Sequence, residues 1–341
     1  GGQRHFFARY PIASLCAGLV LVGVLFFWLL FGFHGYSGPK RNIYIPPGAT
    51  YGSVRDSLSS GLGMIAGNRT YLLWRLQGGT VESARGLYEV KTGDRALILS
   101  RRLRSGMQTP IMVSFNGVRS FGRVASRIAS QFEFSDSAFL AAADSILPAS
   151  GFGREQFVAA FLPDSYEFYI TDSPAKVVTR LLAERNRFWS EERRARASQM
   201  GLTPVEVATV ASIVEEESAK ADERPKIARL YLNRLQRGMK LQADPTVKFA
   251  VGDFALRRIL SRHLSVVSPY NTYIVSGLPP GPIRMPERRT LEGVLDAPQH
   301  DYIYMCAKED FSGYHNFASD YAEHMANARR YHAELNRRRI K

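Results

Sequence analysis

The run Ala211-Ser212-Ile213-Val214-Glu215-Glu216-Glu217 carries an apolar helix face straight into three carboxylates. A carboxylate on a stripe that should be buried loses its water, and its pKa rises. A carboxyl kept protonated near neutral pH can act as a general acid. At ~100° per residue, Val207, Val210, Ala211, Ile213 and Val214 share one face. Glu217 lies about 50° from the middle of that face, Glu215 about 110° and Glu216 about 150°. Glu217 therefore extends the stripe, Glu215 flanks it, and Glu216 is expected in solvent. On this pattern alone, three exposed glutamates at a fraying helix end are an equal alternative.

Downstream stand Leu241-Gln242-Ala243-Asp244-Pro245-Thr246-Val247, Ser268-Pro269-Tyr270-Asn271-Thr272-Tyr273, Gly277-Leu278-Pro279-Pro280-Gly281 and His315-Asn316-Phe317. Their amides, hydroxyls and rings suit a sugar, which offers hydroxyls to hydrogen-bond and flat C–H faces to stack. Tyr- and Pro-rich loops also occur as plain packing. Other chemistries find little support. The histidines show no H-E-x-x-H spacing, and there is no Walker loop, dinucleotide fingerprint or G-x-S-x-G. No metal and no cofactor is expected. Ser173-Pro-Ala-Lys176 and Lys91-Thr-Gly93 fit acyl-enzyme motifs, but in reversed order, and Ser173 is better read as a helix cap.

The elements that must position these residues begin with the acid-bearing helix. Thr203 is a good N-cap, Pro204 suits the first helical position, and Glu206 completes a capping box. Asp172-Ser173-Pro174 opens another helix through about residue 189, Ile227 to Arg237 a third, and Asp320 to Arg338 a terminal one. Residues 303–307 read as a buried strand.

Nearer the N-terminus, Ile43, Ile45, Tyr51, Gly52, Val54 and Leu58 recur 70 residues later as Val113, Phe115, Phe121, Gly122, Val124 and Ile128. Each copy reads as a short strand, a turn and an amphipathic helix.

Before this repeat, Ile12 to Phe33 contains no charged residue. At ~1.5 Å per residue it reaches about 33 Å, the thickness of a bilayer core. It ends in Phe-Trp-Leu-Leu-Phe-Gly-Phe without a small-residue cleavage site, which reads as a retained anchor. The expected layout is a cytoplasmic head over 1–10, a transmembrane helix over 11–34 and a linker over 35–42. The chain has 341 residues, 45% of them hydrophobic, and a net charge of +14. Its basic clusters lack interleaved aromatics, so solvated helix faces explain them and no nucleic-acid partner is expected. Cys16 and Cys306 give no disulfide framework.

At the quoted words, most specifically Ala211–Ser218, Gln242–Val247 and Tyr270–Ile283, the chain resembles the endolytic murein transglycosylase family, the YceG-like proteins of bacteria. The resemblance runs from about Ile43 to the C-terminus. It implies an α+β protein with a single N-terminal transmembrane helix, a LysM-like α+β subdomain (43–135) and a mixed α+β catalytic domain (151–341). The implied activity is endolytic cleavage of the MurNAc–GlcNAc bond in nascent peptidoglycan strands, leaving 1,6-anhydroMurNAc ends and terminating glycan elongation. The implied place is the bacterial inner membrane, single-pass, with the catalytic domain periplasmic and peptidoglycan synthases as candidate partners. The family's catalytic glutamate falls on Glu217. Its substrate-binding positions fall on Gln242, Asp244, Tyr270, Asn271, Thr272 and His315. The chain departs from the family at Glu216, where Lys is familiar, and at Glu287, where Gly is often seen. A non-catalytic peptidoglycan-binding scaffold is the competing class, and a hydrolytic glycosidase, with Asp244 as second carboxylate, a third.

Overall fold

The computed structural model describes residues 11–31, 35–256 and 258–339. Among these the chain is mixed α+β, rich in helix, with three two-stranded sheets. It opens with α1 (Pro11–Phe31). The side chains of α1 are described only for Ser14–Val24 and Phe26. Among the described residues no helix is long and apolar enough to cross a membrane. The expected head over 1–10, and residues 32–34 of the expected span, lie outside the described residues.

Two compact units follow the chain. One comprises Gly1–Met112 with Glu167–Thr171, the other Val113–Tyr166 with Asp172–Lys341. The region 43–135 spans this division. In the first unit, β1 (Arg41–Ile45) is followed by α2 (Tyr51–Leu62), α3 (Met64–Leu76), a single turn at Val81–Ala84, β2 (Gly86–Val90) and α4 (Ala96–Ser105). β1 and β2 are antiparallel, with Ile43 opposite Tyr88. Alternation along β1 sends Ile43 and Ile45 inward, where they meet Val54 and Leu58 of α2, Trp74 of α3 and Leu103 of α4. The segment expected as a linker is tied down at Tyr36, whose N–H donates to the Asp94 carbonyl (2.8 Å) and whose carbonyl accepts from Gly93 (2.7 Å).

The sequence repeat extends to a whole strand–helix–helix–strand order. β3 (Ile111–Phe115) leads into α5 (Phe121–Ala129), α6 (Asp136–Ala149), a 3₁₀ turn (Arg154–Ala160) and β4 (Asp164–Phe168), and β3 pairs with β4. Ile43, Ile45, Val54 and Leu58, and their counterparts Val113, Phe115, Val124 and Ile128, are all buried. The same inward positions therefore build both copies.

The second unit continues with α7 (Pro174–Phe188), α8 (Glu191–Gln199), α9 (Pro204–Glu217), α10 (Arg224–Gln236), α11 (Asp244–Val251), α12 (Arg288–Leu295), the antiparallel pair β5 (Tyr304–Ala307) and β6 (His315–Ala318), and α13 (Tyr321–Arg337). Ser173 caps α7, accepting from the Lys176 N–H. α9 is the hub. Thr203 caps it by the expected box, accepting from Glu206 N–H while the Glu206 carboxylate accepts from Thr203 N–H (2.7 Å). The helix then packs against α8, α10, α11, α12 and the 3₁₀ turn. Every residue from Val207 to Glu215 is buried. α9 is thus enclosed all round over Val207–Glu215, not amphipathic, and only its two ends reach a surface.

Candidate active site

Burial of α9 settles the three glutamates differently from a one-faced helix. Glu215 is buried, its carboxylate meeting Arg284 (3.2 Å) and accepting from the Glu287 N–H (2.9 Å). Glu216 is not in solvent as the helical wheel predicts. It accepts two bonds from Arg119 (3.1 and 2.9 Å) and one from Arg284 (2.9 Å). Neighbouring elements supply cations on the side where an isolated helix would have met water. These two carboxylates are therefore compensated by arginines, as buried charges must be.

Glu217 has no such cationic partner among the described residues. Among the described residues its side-chain hydrogen bond comes from Tyr231 of α10, whose hydroxyl donates to Oε1 at 2.7 Å. Burial pushes its carboxyl up to about 7; the Tyr231 bond opposes that shift, the nearby Asp244 charge adds to it, and His315 and Lys248 oppose it. The Tyr231 hydroxyl is itself driven well above its ordinary value, first by burial and then by the Glu217 charge. It therefore stays a donor.

Glu217 opens into a cavity of about 440 Å³ shared with Tyr231, Gln242, Asp244, Tyr273 and His315. Each is placed by its own device. Gln242 adopts a positive φ of 53°. Its side-chain oxygen accepts from Arg234 (2.6 Å), a buried arginine that also donates to the carbonyls of Lys240 and Ile303. Asp244, at the start of α11, accepts from the Tyr273 hydroxyl at 2.7 Å. His315, at the start of β6, sits on Glu223 with both its Nδ1 (2.8 Å) and its backbone N–H (2.8 Å). Burial works to raise the Glu223 carboxyl, yet hydrogen bonds from His315 and Ser218 hold it below its ordinary value. A carboxylate facing Nδ1 makes that atom a proton-bearing one and turns Nε2 away from Glu223.

The structure brings together Glu217, Gln242, Asp244 and His315 of the expected residues. It does not bring Asn271 or Thr272, expected as substrate contacts, to the lining of the cavity. Both are fully buried. Asn271 spends its amide on the Leu264 and Val266 carbonyls (2.9 and 2.8 Å) and accepts from the Tyr273 N–H (3.1 Å). Thr272 pairs with Thr246 (2.8 Å) and accepts from the Ala243 N–H (3.0 Å). They clamp the loop that carries Tyr273. Tyr270 packs its ring on Phe249 (4.6 Å) and does not line the Glu217 cavity.

The proline-rich loop has a similar structural office. A Cβ at Gly281 would lie 2.1 Å from the Glu155 carbonyl, so only glycine passes there. Ile283 N–H then donates to Ser212 of α9 (3.0 Å). Among the described residues no cluster of three or more His, Cys, Asp or Glu could hold a metal.

Tyr231 and Glu223 were not legible as site residues. Tyr231 follows Ile227 by four positions on the buried side of α10, and a buried tyrosine hydroxyl needs a partner. That was the available signal. Glu223 carried none.

A sequence model of the YceG-like family matches residues 43–330. The endolytic murein transglycosylase of Bacillus subtilis (strain 168) is 33% identical over 148 residues, 43% of this chain and 41% of that protein. The protein of the same name from Streptococcus pneumoniae serotype 2 is 30% identical over 166 residues, 47% of this chain and 30% of that protein. The chain thus spans less than half the length of these curated relatives. A 2.6 Å crystal structure of a putative YceG-like protein from Listeria monocytogenes superposes with a TM-score of 0.54 at 23% identity, covering 85% of this chain and 99% of that one. That likeness is one of fold.

Proposed function

The chain belongs to the YceG-like family, and on that premise we propose that it is an endolytic lytic transglycosylase of peptidoglycan with Glu217 as its single catalytic carboxyl. One observation carries the reading. Of three consecutive glutamates, two are neutralised by arginines, and the third, at a cavity, forms no ion pair among the described residues and has its carboxyl pushed up to about 7. Tyr231 donates to Oε1, which favours Oε2 as the proton-bearing atom facing substrate.

In the first half-reaction Glu217 gives that proton to the glycosidic oxygen between N-acetylmuramic acid and N-acetylglucosamine. The C1–O bond breaks and positive charge develops at C1. In the second half, ionised Glu217 takes the proton from the muramoyl O6, and O6 closes onto C1. The product is a 1,6-anhydro end, the carboxyl is restored and no water is consumed. The Tyr231 bond lowers the cost of the ionised intermediate, so one group serves as acid and then base. Asp244, fixed by Tyr273, places negative charge beside the developing cation. Gln242 and His315 Nε2 remain to orient the sugar.

The uncharged run over residues 12–33 supports a single membrane span, and the transglycosylase reading puts the catalytic unit outside, where nascent strands and their synthases are found. Mass spectrometry of purified glycan strands after digestion tests the activity. Anhydro-ended fragments are expected from the wild type and none from Glu217→Gln. Reducing ends would show a hydrolase, and intact strands with retained protein a binding scaffold.

A further inference from the structure

A second cavity, about 440 Å³, opens in the same unit beside the glutamate run. Its walls are the turn Gly117–Ser120 between β3 and α5, the exposed side of α5 with Arg123 and Arg127, and the ring of Phe254. Arg119 closes its inner edge, fixed by Glu216 and lying 4.9 Å from the Phe254 ring centroid. Arg123 and Arg127 stand one helical turn apart, a spacing at which like charges repel. Among the described residues neither forms an ion pair. A smaller hollow is lined by Arg119 and Phe254 together with Pro245 and Lys248 of α11, the helix whose first residue, Asp244, lines the Glu217 cavity. Glu216, the neighbour of Glu217, lines the same hollow.

Neutral sugar rings do not call for two unpaired guanidinium groups. A peptidoglycan strand repeats something that does: beside each muramoyl ring hangs a stem peptide bearing carboxylates. We propose that this cavity is a subsite for a stem peptide, with Arg123 and Arg127 taking one of its carboxylates and Phe254 supporting its aliphatic part. Guanidinium forks match a carboxylate in geometry and charge. The inference rests on the transglycosylase reading and adds a substrate requirement to it.

The test compares kcat/KM on two preparations of glycan strands. One carries stem peptides; the other is stripped by an amidase, which leaves only the lactyl carboxylate on each muramoyl residue. The wild type is expected to favour peptide-bearing strands by about tenfold. The double variant Arg123→Ala/Arg127→Ala should bring that ratio to within about twofold, and the corresponding lysine pair should keep part of it. A wild type without preference overturns the proposal. So does a double variant that keeps the ratio, or one that loses equally on both substrates. Failure of the underlying reading looks different: the wild type would release no anhydro ends from either preparation. Binding of the Glu217→Gln protein to the same two preparations then still reports on the subsite, with the same ratio as readout.

Discussion

Tyr231 on α10 and Glu217 at the end of α9 share a 2.7 Å hydrogen bond in which the phenol donates and the carboxyl accepts. Two residues fourteen positions apart, on different helices, are thereby joined at the side chain proposed to do the chemistry.

Removing that donor should change a pH profile. The Tyr231 bond opposes the upward shift of Glu217. In Tyr231→Phe the carboxyl therefore titrates higher, and the alkaline limb of the activity profile moves to higher pH. Losing support for the ionised intermediate should also lower kcat by roughly tenfold. A pH–rate series on both proteins checks this, and an unmoved limb would count against the bond.

Stability should respond to the same carboxyl. Its folded pKa is about 7, against an ordinary value of 4.5. The folded state therefore holds more protons than the unfolded chain between these values, and stability falls as pH rises through that window. Above it, an ionised Glu217 costs up to about 3 kcal/mol. Glu217→Gln should flatten this dependence and melt higher than the wild type at pH 8, while matching it near pH 4. Thermal melts of both proteins across that range decide it.

The arginine pair behind the other two glutamates should matter for folding. Arg284→Ala leaves the buried Glu215 carboxyl without its cation, with the Glu287 N–H as its remaining partner among the described residues. A loss of about 3–5 kcal/mol is expected in urea unfolding. Glu216→Gln, which keeps the shape and most hydrogen bonds, should retain anhydro product formation. Activity abolished by Glu216→Gln and kept in Glu217→Gln would reverse the assignment.

Asn271 offers a contrast between clamp and contact. Asn271→Ala strands the Leu264 and Val266 carbonyls and the Tyr273 N–H, at about 1–3 kcal/mol. The expected signature is a lower melting temperature with the Kd for glycan strands little changed. A weakened Kd at unchanged stability would instead make Asn271 a substrate contact.

Much of this site could be read before any coordinates. The wheel through Val207, Val210 and Val214 selected Glu217 because helical periodicity is a local property. The Thr203 box and the Ser173 cap were legible for the same reason. The repeat showed in matched core positions, since alternation in β1 and β3 and the apolar stripes of α2 and α5 are written within short segments. Glu216 was misread because its neutralisation comes from Arg119 and Arg284, residues 97 and 68 positions away. No local pattern encodes such a partner. Asn271 and Thr272 were read as ligands because polar side chains in a loop look alike whether they face substrate or backbone carbonyls.

Three adjacent carboxylates, each turned ~100° from the last, make α9 sensitive to indels in one direction only. An extra residue inserted between Val214 and Glu215 would slide Glu216 into the place of Glu217 and Glu215 into the grip of Arg119 and Arg284. An acid would still stand at the cavity. Deleting one glutamate would bring Ser218 there instead, and the proton donor would be gone.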